Sequence, residues 1–147
     1  MFFKKQYPEI DFDAIYVLNL KGNTPMCGYQ ETSVVIRFLD HEKVVLDEYN
    51  EPFEPHKKSI EDILLIPISE LIDFAYNYKK SSDQIQIKYF TYAKEDRFFD
   101  ERDYVEYSGT IYSDGLILTL HNSFYNESIE DYKRNCLLEN LKFKKYK

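Results

Sequence analysis

The segment Tyr104–His121, YVEYSGTIYSDGLILTLH, constrains what this chain can fold into more than any other stretch. Two runs of period-two alternation flank Asp114-Gly115, and Asp-Gly between alternating apolar residues is among the strongest local hairpin signals. A two-residue type I′ turn needs positive φ at both central positions. Gly adopts that conformation without steric cost, and Asp tolerates it. With Asp114 and Gly115 as the loop, Ser113 faces Leu116, Tyr112 faces Ile117, Ile111 faces Leu118, Thr110 faces Thr119 and Gly109 faces Leu120. One face then carries Val105, Tyr107, Ile111, Leu116, Leu118 and Leu120. The other carries Glu106, Ser108, Thr110, Tyr112, Ile117, Thr119 and His121. An apolar face opposite a mixed one is the pattern of an antiparallel sheet with one side on a core. Gly109, inside a strand, predicts a bulge, a bend or a close backbone approach.

Similar patterning recurs along the chain. Phe12–Leu20 reads as a strand, preceded by an extended arm over Met1–Asp11 that Pro8 keeps out of a helix. Lys21–Glu31, with Gly22, Asn23, Pro25 and Gly28, reads as a loop. Ser33–Leu39 and Lys43–Tyr49 form a second hairpin about Asp40-His41-Glu42. A three-residue loop puts Val34, Ile36, Phe38, Val44 and Leu46 on one face, and burial selects that register. Gln84–Tyr92 alternates after a turn at Ser81-Ser82-Asp83, with Ile85, Ile87 and Tyr89 sharing a face, and Leu137–Tyr146 closes the chain as a strand. Ser59–Lys80 is the one helical region. Ser59 and Asp62 resemble a capping box, Pro67 interrupts, and Ser69 caps a second segment with Leu71, Phe74, Ala75 and Tyr78 at helical spacing. Ile63–Ile66 also reads as a short strand, since periodicity does not decide so brief a run. Within the polar stretch Asn122–Asn135, Ser128 and Asp131 can start one helical turn, and Asn126-Glu127-Ser128 matches a glycosylation sequon by chance.

Seven or eight strands with short connections and one helical insertion predict a mainly β domain spanning residues 1–147. An antiparallel meander of this size protects its edges by curling into a barrel or half-barrel. In strand count and patterning it resembles a small lipocalin-like (calycin-type) barrel, an analogy of fold alone. An open sheet packed on the helix is the rival. The 14 Tyr and 11 Phe favour strands, and 147 residues suffice for a core without staples.

The net charge of −7 opposes binding to nucleic acid. Lys142, Lys144, Lys145 and Lys147 supply four positive charges, so residues 1–141 carry −11 of that total. An acidic body suits solubility, a basic partner or a cationic ligand. No run approaches a membrane span, and MFFKKQYPEIDF lacks the apolar core of a signal peptide. The expectation is therefore a cytoplasmic protein, with a removed leader as the alternative. Cys27 and Cys136 lack metal-type spacing; a disulfide between them is geometrically possible, and two thiols in an intracellular protein is the simpler reading.

No nucleotide, zinc-protease or serine-hydrolase motif is present, so the sequence predicts no catalytic constellation, no metal site and no cofactor. His41, His56 and His121 read as solvated histidines, and a His121–Cys136 nucleophile–base pair has no support in spacing. The candidate site is the charged loop Ala93–Asp103. There Phe98 and Phe99 sit among Asp96, Arg97, Asp100 and Glu101, either folding back as a lid or anchoring a partner. Two functions follow as expectations. One is a non-catalytic binding protein of the inhibitor or immunity type, acting on a basic protein. The other is a lipocalin-like binder of a small apolar ligand held in the barrel interior.

Overall fold

The computed structural model describes residues 6–20, 32–123 and 136–147. The expected loop at Lys21–Glu31, the helical turn and sequon near Ser128, and Cys27 lie outside the described residues. The strands are β1 (Ile15–Asn19), β2 (Ser33–Phe38), β3 (Lys43–Tyr49), β4 (Tyr76–Ser81), β5 (Gln84–Phe90), β6 (Tyr104–Tyr112), β7 (Gly115–Ser123) and β8 (Cys136–Tyr146). Each pairs antiparallel with the next, and β8 pairs with β1 through Ile15↔Tyr146, Tyr16↔Lys145 and Val17↔Lys144. The meander is thus a closed barrel, neither a half-barrel nor an open sheet. Closure removes the edge that an open sheet of this length would expose.

The interior is built from the faces expected of the sequence. Tyr107, Ile111, Leu116, Leu118 and Leu120 join Val34, Ile36, Phe38, Val44, Ile85 and Ile87 in one core, with Leu46 and Val105 packed against it. The β2–β3 register, Phe38↔Val44 and Ile36↔Leu46, is the one a three-residue loop dictates. The β6–β7 register corrects the expected one by two residues. Tyr112 pairs with Gly115, Ile111 with Leu116 and Gly109 with Leu118, so the turn residues are Ser113 and Asp114. A two-residue slip leaves every side chain on its face, which is why the apolar pattern did not detect it. Neither Asp114 nor Gly115 takes positive φ, so the turn is not type I′. Gly115 is required for another reason: a Cβ there would overlap the carbonyl oxygen of Phe143 on β8. Gly109 likewise marks a close approach, to the carbonyl of Ile117.

The helical expectation, with its break at Pro67, holds as far as Phe74 and fails beyond it. Helix α1 spans Lys57–Leu64, α2 spans Ile68–Leu71, and a 3₁₀ turn covers Ile72–Phe74. Residues 76–80 are strand, and Tyr78 reaches the core from β4. Leu71, Phe74 and Tyr78 fit a helical stripe, but Tyr76, Tyr78 and Lys80 fit strand parity equally, and pairing to β5 decides. The N-cap is His56, whose Nδ1 accepts from the Ser59 amide at 3.2 Å, rather than a Ser59–Asp62 box. Ile63–Leu64 ends α1 and is not a strand. Helix α1 lies on the outside of the barrel, where Ile60 packs with Ile15, Val17 and Val35. That second layer explains why all six residues of β2 are buried. Arg37, outward-facing on β2 and 7% exposed, reaches under the connector after α1. Its Nη1 donates to the carbonyls of Ile63 (2.9 Å) and Ile66 (2.8 Å), and Nη2 donates to that of Leu64 (3.3 Å).

Two non-glycine residues adopt positive φ among the described residues, Ser82 (58°) and Asn140 (57°). Asn140 coincides with a bulge: Leu118 pairs with Leu141 but Leu120 pairs with Leu138. The extra residue on β8 shifts its alternation, bringing both Leu138 and Leu141 to the core and leaving Leu137 exposed. Ser82 is the first of two loop residues between Ser81 and Gln84, and positive φ there but not at Asp83 is the type II′ pattern. An L-residue in that conformation costs about 1 kcal/mol relative to Gly. Ser82→Gly is therefore expected to stabilise the barrel by about 1 kcal/mol, read as a higher urea midpoint at unchanged slope.

The end of the barrel holding this hairpin is plugged by the N-terminal arm. Ile10 joins the core, the Asp11 amide donates to the Tyr16 hydroxyl oxygen at 3.0 Å, and Lys145 and Lys147 approach the Asp11 carboxylate at 3.8 and 2.6 Å. Part of the basic C-terminus is thereby used internally. Nearby, the Tyr78 hydroxyl donates to the Asp40 carbonyl at 2.7 Å. Burial, aided by the Asp40 and Tyr16 charges, pushes this phenol up to about 12. A phenol raised on folding favours the fold fully below its ordinary value near 10, and that contribution is lost as pH rises through 12. Tyr78, with Tyr16 also raised by burial, is expected to ionise only as the barrel unfolds above about pH 10. Phenolate absorbance and β-sheet circular dichroism followed together check this. Complete ionisation with the sheet intact would contradict it.

Cys136, at the start of β8, is disulfide-bonded. The reading of a free thiol is corrected at this position.

Candidate functional site

The loop between β5 and β6 continues from the last ladder pair, Phe90↔Tyr104, through a hydrogen bond from the Thr91 amide to the Asp103 carbonyl at 3.0 Å. It then folds as successive tight turns. The Asp96 amide donates to Ala93 O (2.9 Å), the Phe99 amide to Asp96 O (3.0 Å) and the Asp103 amide to Asp100 O (3.0 Å). Two carboxylates secure these turns. Asp96 Oδ1 accepts from the Phe98 amide at 2.8 Å, and Asp100 Oδ1 accepts from the Arg102 amide at 2.9 Å. Arg102 also grips Asp100 with its side chain, Nε to Oδ1 at 2.9 Å and Nη2 to Oδ2 at 2.7 Å. Those bonds hold the Asp100 carboxyl down at about 2. A bond from Ser123 Oγ to the Arg102 carbonyl at 2.8 Å fastens the loop to the end of β7.

The two phenylalanines divide the roles that the sequence left open. Phe99 is half-buried, and its ring meets Phe90 edge-on at 5.3 Å. Phe98 is 48% exposed, with the Arg97 guanidinium 4.6 Å above its ring and Tyr92 at 5.8 Å. Asp96 and Asp100 are occupied by their own loop, while Arg97 and Glu101 are exposed. All six candidate residues, Asp96, Arg97, Phe98, Phe99, Asp100 and Glu101, stand in one loop.

The sequence reading missed the outer strand face beside it. Lys88 lies 4.3 Å over the Tyr104 ring and 6.0 Å from Phe90, and the Tyr104 hydroxyl is 3.3 Å from His121 Nδ1. Once Phe90 is paired with Tyr104, strand parity puts Lys88, Phe90, Tyr104 and His121 on the outer face, so register was the missing signal. His121 is thus bonded rather than merely solvated. It has no thiol partner in Cys136, which is oxidised. His41 is also in contact, edge-on to Phe12 at 5.1 Å.

No family model, characterised protein or solved structure matches this chain. The geometry must therefore carry the reading. Chemically, the loop offers an aromatic ring stacked with a cation, on a backbone whose turns are internally bonded. Among the described residues no helix is long and apolar enough to cross a membrane. Among the same residues, no three metal-ligating side chains gather.

Proposed function

We propose that this chain is a non-catalytic binding protein that engages another protein through the β5–β6 loop, in the manner of an inhibitor or immunity protein facing a basic surface. The observation that carries the reading is Phe98. It is exposed on an internally bonded loop and paired with Arg97, and Glu95, Asp96 and Glu101 are exposed residues of the same loop. Interface hot spots favour an aromatic or Arg anchor ringed by polar groups, and a loop already ordered loses little freedom on docking. The acidic body adds attraction to a basic partner.

The alternative, a lipocalin-like carrier of a small apolar ligand, is less well supported. Tyr16, Phe38, Tyr107 and Phe143 are each no more than 2% exposed and place bulky rings in the core. Tyr16 contacts Phe38, Phe38 contacts Tyr78, and Tyr107 contacts Phe143 through edge-on rings.

The test is a pull-down from the native host, followed by titration of the captured partner. Phe98→Ala is expected to weaken binding by about 2 kcal/mol with the melting temperature unchanged, because Phe98 contributes little to the fold. Phe99→Ala is expected to lower stability as well, since it uncovers Phe90. Equal affinity of the Phe98→Ala protein and its parent would remove the loop from the interface.

A further inference from the structure

The connector between α1 and β4 holds apolar side chains away from the barrel. Leu65 is 76% exposed, Phe74 75%, Ile68 45% and Ile66 37%. Neither α2 nor the 3₁₀ turn buries any residue. Nine large hydrophobic side chains are exposed among the described residues, and these four fall within ten consecutive positions. Scattered exposed apolar residues are ordinary, whereas a concentration of this kind marks a contact surface.

The connector's backbone is not left to find its own path. Arg37 holds its start: the guanidinium bonds the carbonyls of Ile63 and Leu64 in the last turn of α1 and that of Ile66 in the connector, and no carboxylate pairs with it among the described residues. Burying a cation for this purpose costs desolvation, which lowers the affinity of Arg37 for its proton. The result is a strip presented in a set conformation, with less entropy to lose when it is covered.

Charge selects what covers it. From Ser59 to Tyr76 the chain carries Glu61, Asp62, Glu70 and Asp73 and no Lys, Arg or His, while Lys57 and Lys147 line the hollow beside Leu65 at the α1 end. Glu61 has an exposed pairing with Lys57 at 3.9 Å. A second copy would set these four carboxylates against their equivalents on a chain of net charge −7, and an anionic bilayer would repel them in the same way. We infer that the Leu65–Phe74 connector is a docking surface for a cationic amphipathic segment of another protein. Its apolar side would cover Leu65, Ile68 and Phe74, and its Lys or Arg residues would meet Asp62, Glu70 and Asp73. The surface is a different segment of the chain from the β5–β6 loop, and the inference stands without that loop's role.

The experiment titrates a fluorescein-labelled Lys/Leu amphipathic peptide, and its Glu/Leu counterpart, into the intact protein by anisotropy. The Lys/Leu peptide is expected to bind and the Glu/Leu peptide to fail. Leu65→Ser with Phe74→Ser leaves every charge in place and is expected to reduce affinity about tenfold or more. Glu70→Lys with Asp73→Lys should do the same, while Phe98→Ala should change nothing. Circular dichroism of each variant confirms the fold, which these exposed positions do not support. Undiminished binding to the Leu65→Ser, Phe74→Ser protein would overturn the inference, since the peptide would then be reading net charge alone. A concentration-dependent dimer that these substitutions abolish would overturn it in favour of self-association.

Discussion

Gly109→Ala is expected to melt roughly 10 °C below the parent protein, a loss of about 3 kcal/mol for a chain of this size. A methyl group at that position would overlap the Ile117 carbonyl oxygen and come within 3.0 Å of Ile117 C and Leu118 Cα. All three atoms are backbone of β7, in the middle of a seam of nine registered pairs from Tyr104↔Ser123 to Tyr112↔Gly115. No side chain can swing aside to relieve the overlap, so β6 must part from β7 or distort. Ser108→Ala, on the adjacent outward position, is the control and should stay within about 0.5 kcal/mol of the parent. Urea unfolding of the three proteins decides the matter. Equal midpoints for the Gly109→Ala protein and its parent would mean that the strands do not approach as closely as described.

The second large effect is expected at Arg37. Arg37→Met keeps most of the aliphatic stem and removes the guanidinium, taking its hydrogen bonds from the carbonyls of Ile63, Leu64 and Ile66, of which Ile63 keeps the Ile66 amide as a donor. Hydrogen bonds to a charged group contribute more than neutral ones, and losing three together should cost about 3 kcal/mol. The damage should be local. The Leu65 and Ile66 amides, bonded at 2.9 and 3.2 Å to the carbonyls of Glu61 and Ile63, should exchange hydrogen much faster. The amides of the β6–β7 seam should change only by the global loss. Uniform acceleration over the whole chain would show that the connector and the barrel unfold as one unit. Unchanged protection at Leu65 would show that the connector does not need Arg37.

How far the sequence could be read depended on which interaction decided each feature. Alternation decided the faces, and the faces were legible: Val34, Ile36, Phe38, Ile85, Ile87, Tyr107, Ile111, Leu116, Leu118 and Leu120 all point inward. The same alternation is blind to a slip of two, and there the Asp114-Gly115 pair misled. Gly115 is glycine because β8 passes against it, not because the turn needs positive φ. The β8 bulge left a trace in sequence, since Leu138, Leu141 and Phe143 cannot share one face of a regular strand. Asn140, a residue tolerant of the left-handed conformation, supplies the break. In the candidate loop, the six residues were visible as a cluster, but the split between inward Phe99 and outward Phe98 was not. It depends on Phe90, which reaches Phe99 only after β5 and β6 have paired.

By itself the sequence determined a mainly β chain, seven of its eight strands, their inward faces, the β2–β3 register and the absence of recognisable catalytic motifs. These follow from interactions between near neighbours, where period-two burial and loop length leave little choice. Tertiary structure alone decided closure through β1 and β8, strand rather than helix at residues 76–80, the burial of Arg37 beneath the connector, and the disulfide at Cys136. Each of these depends on a partner distant in sequence, and local propensity has no term for a partner that arrives only when the barrel closes.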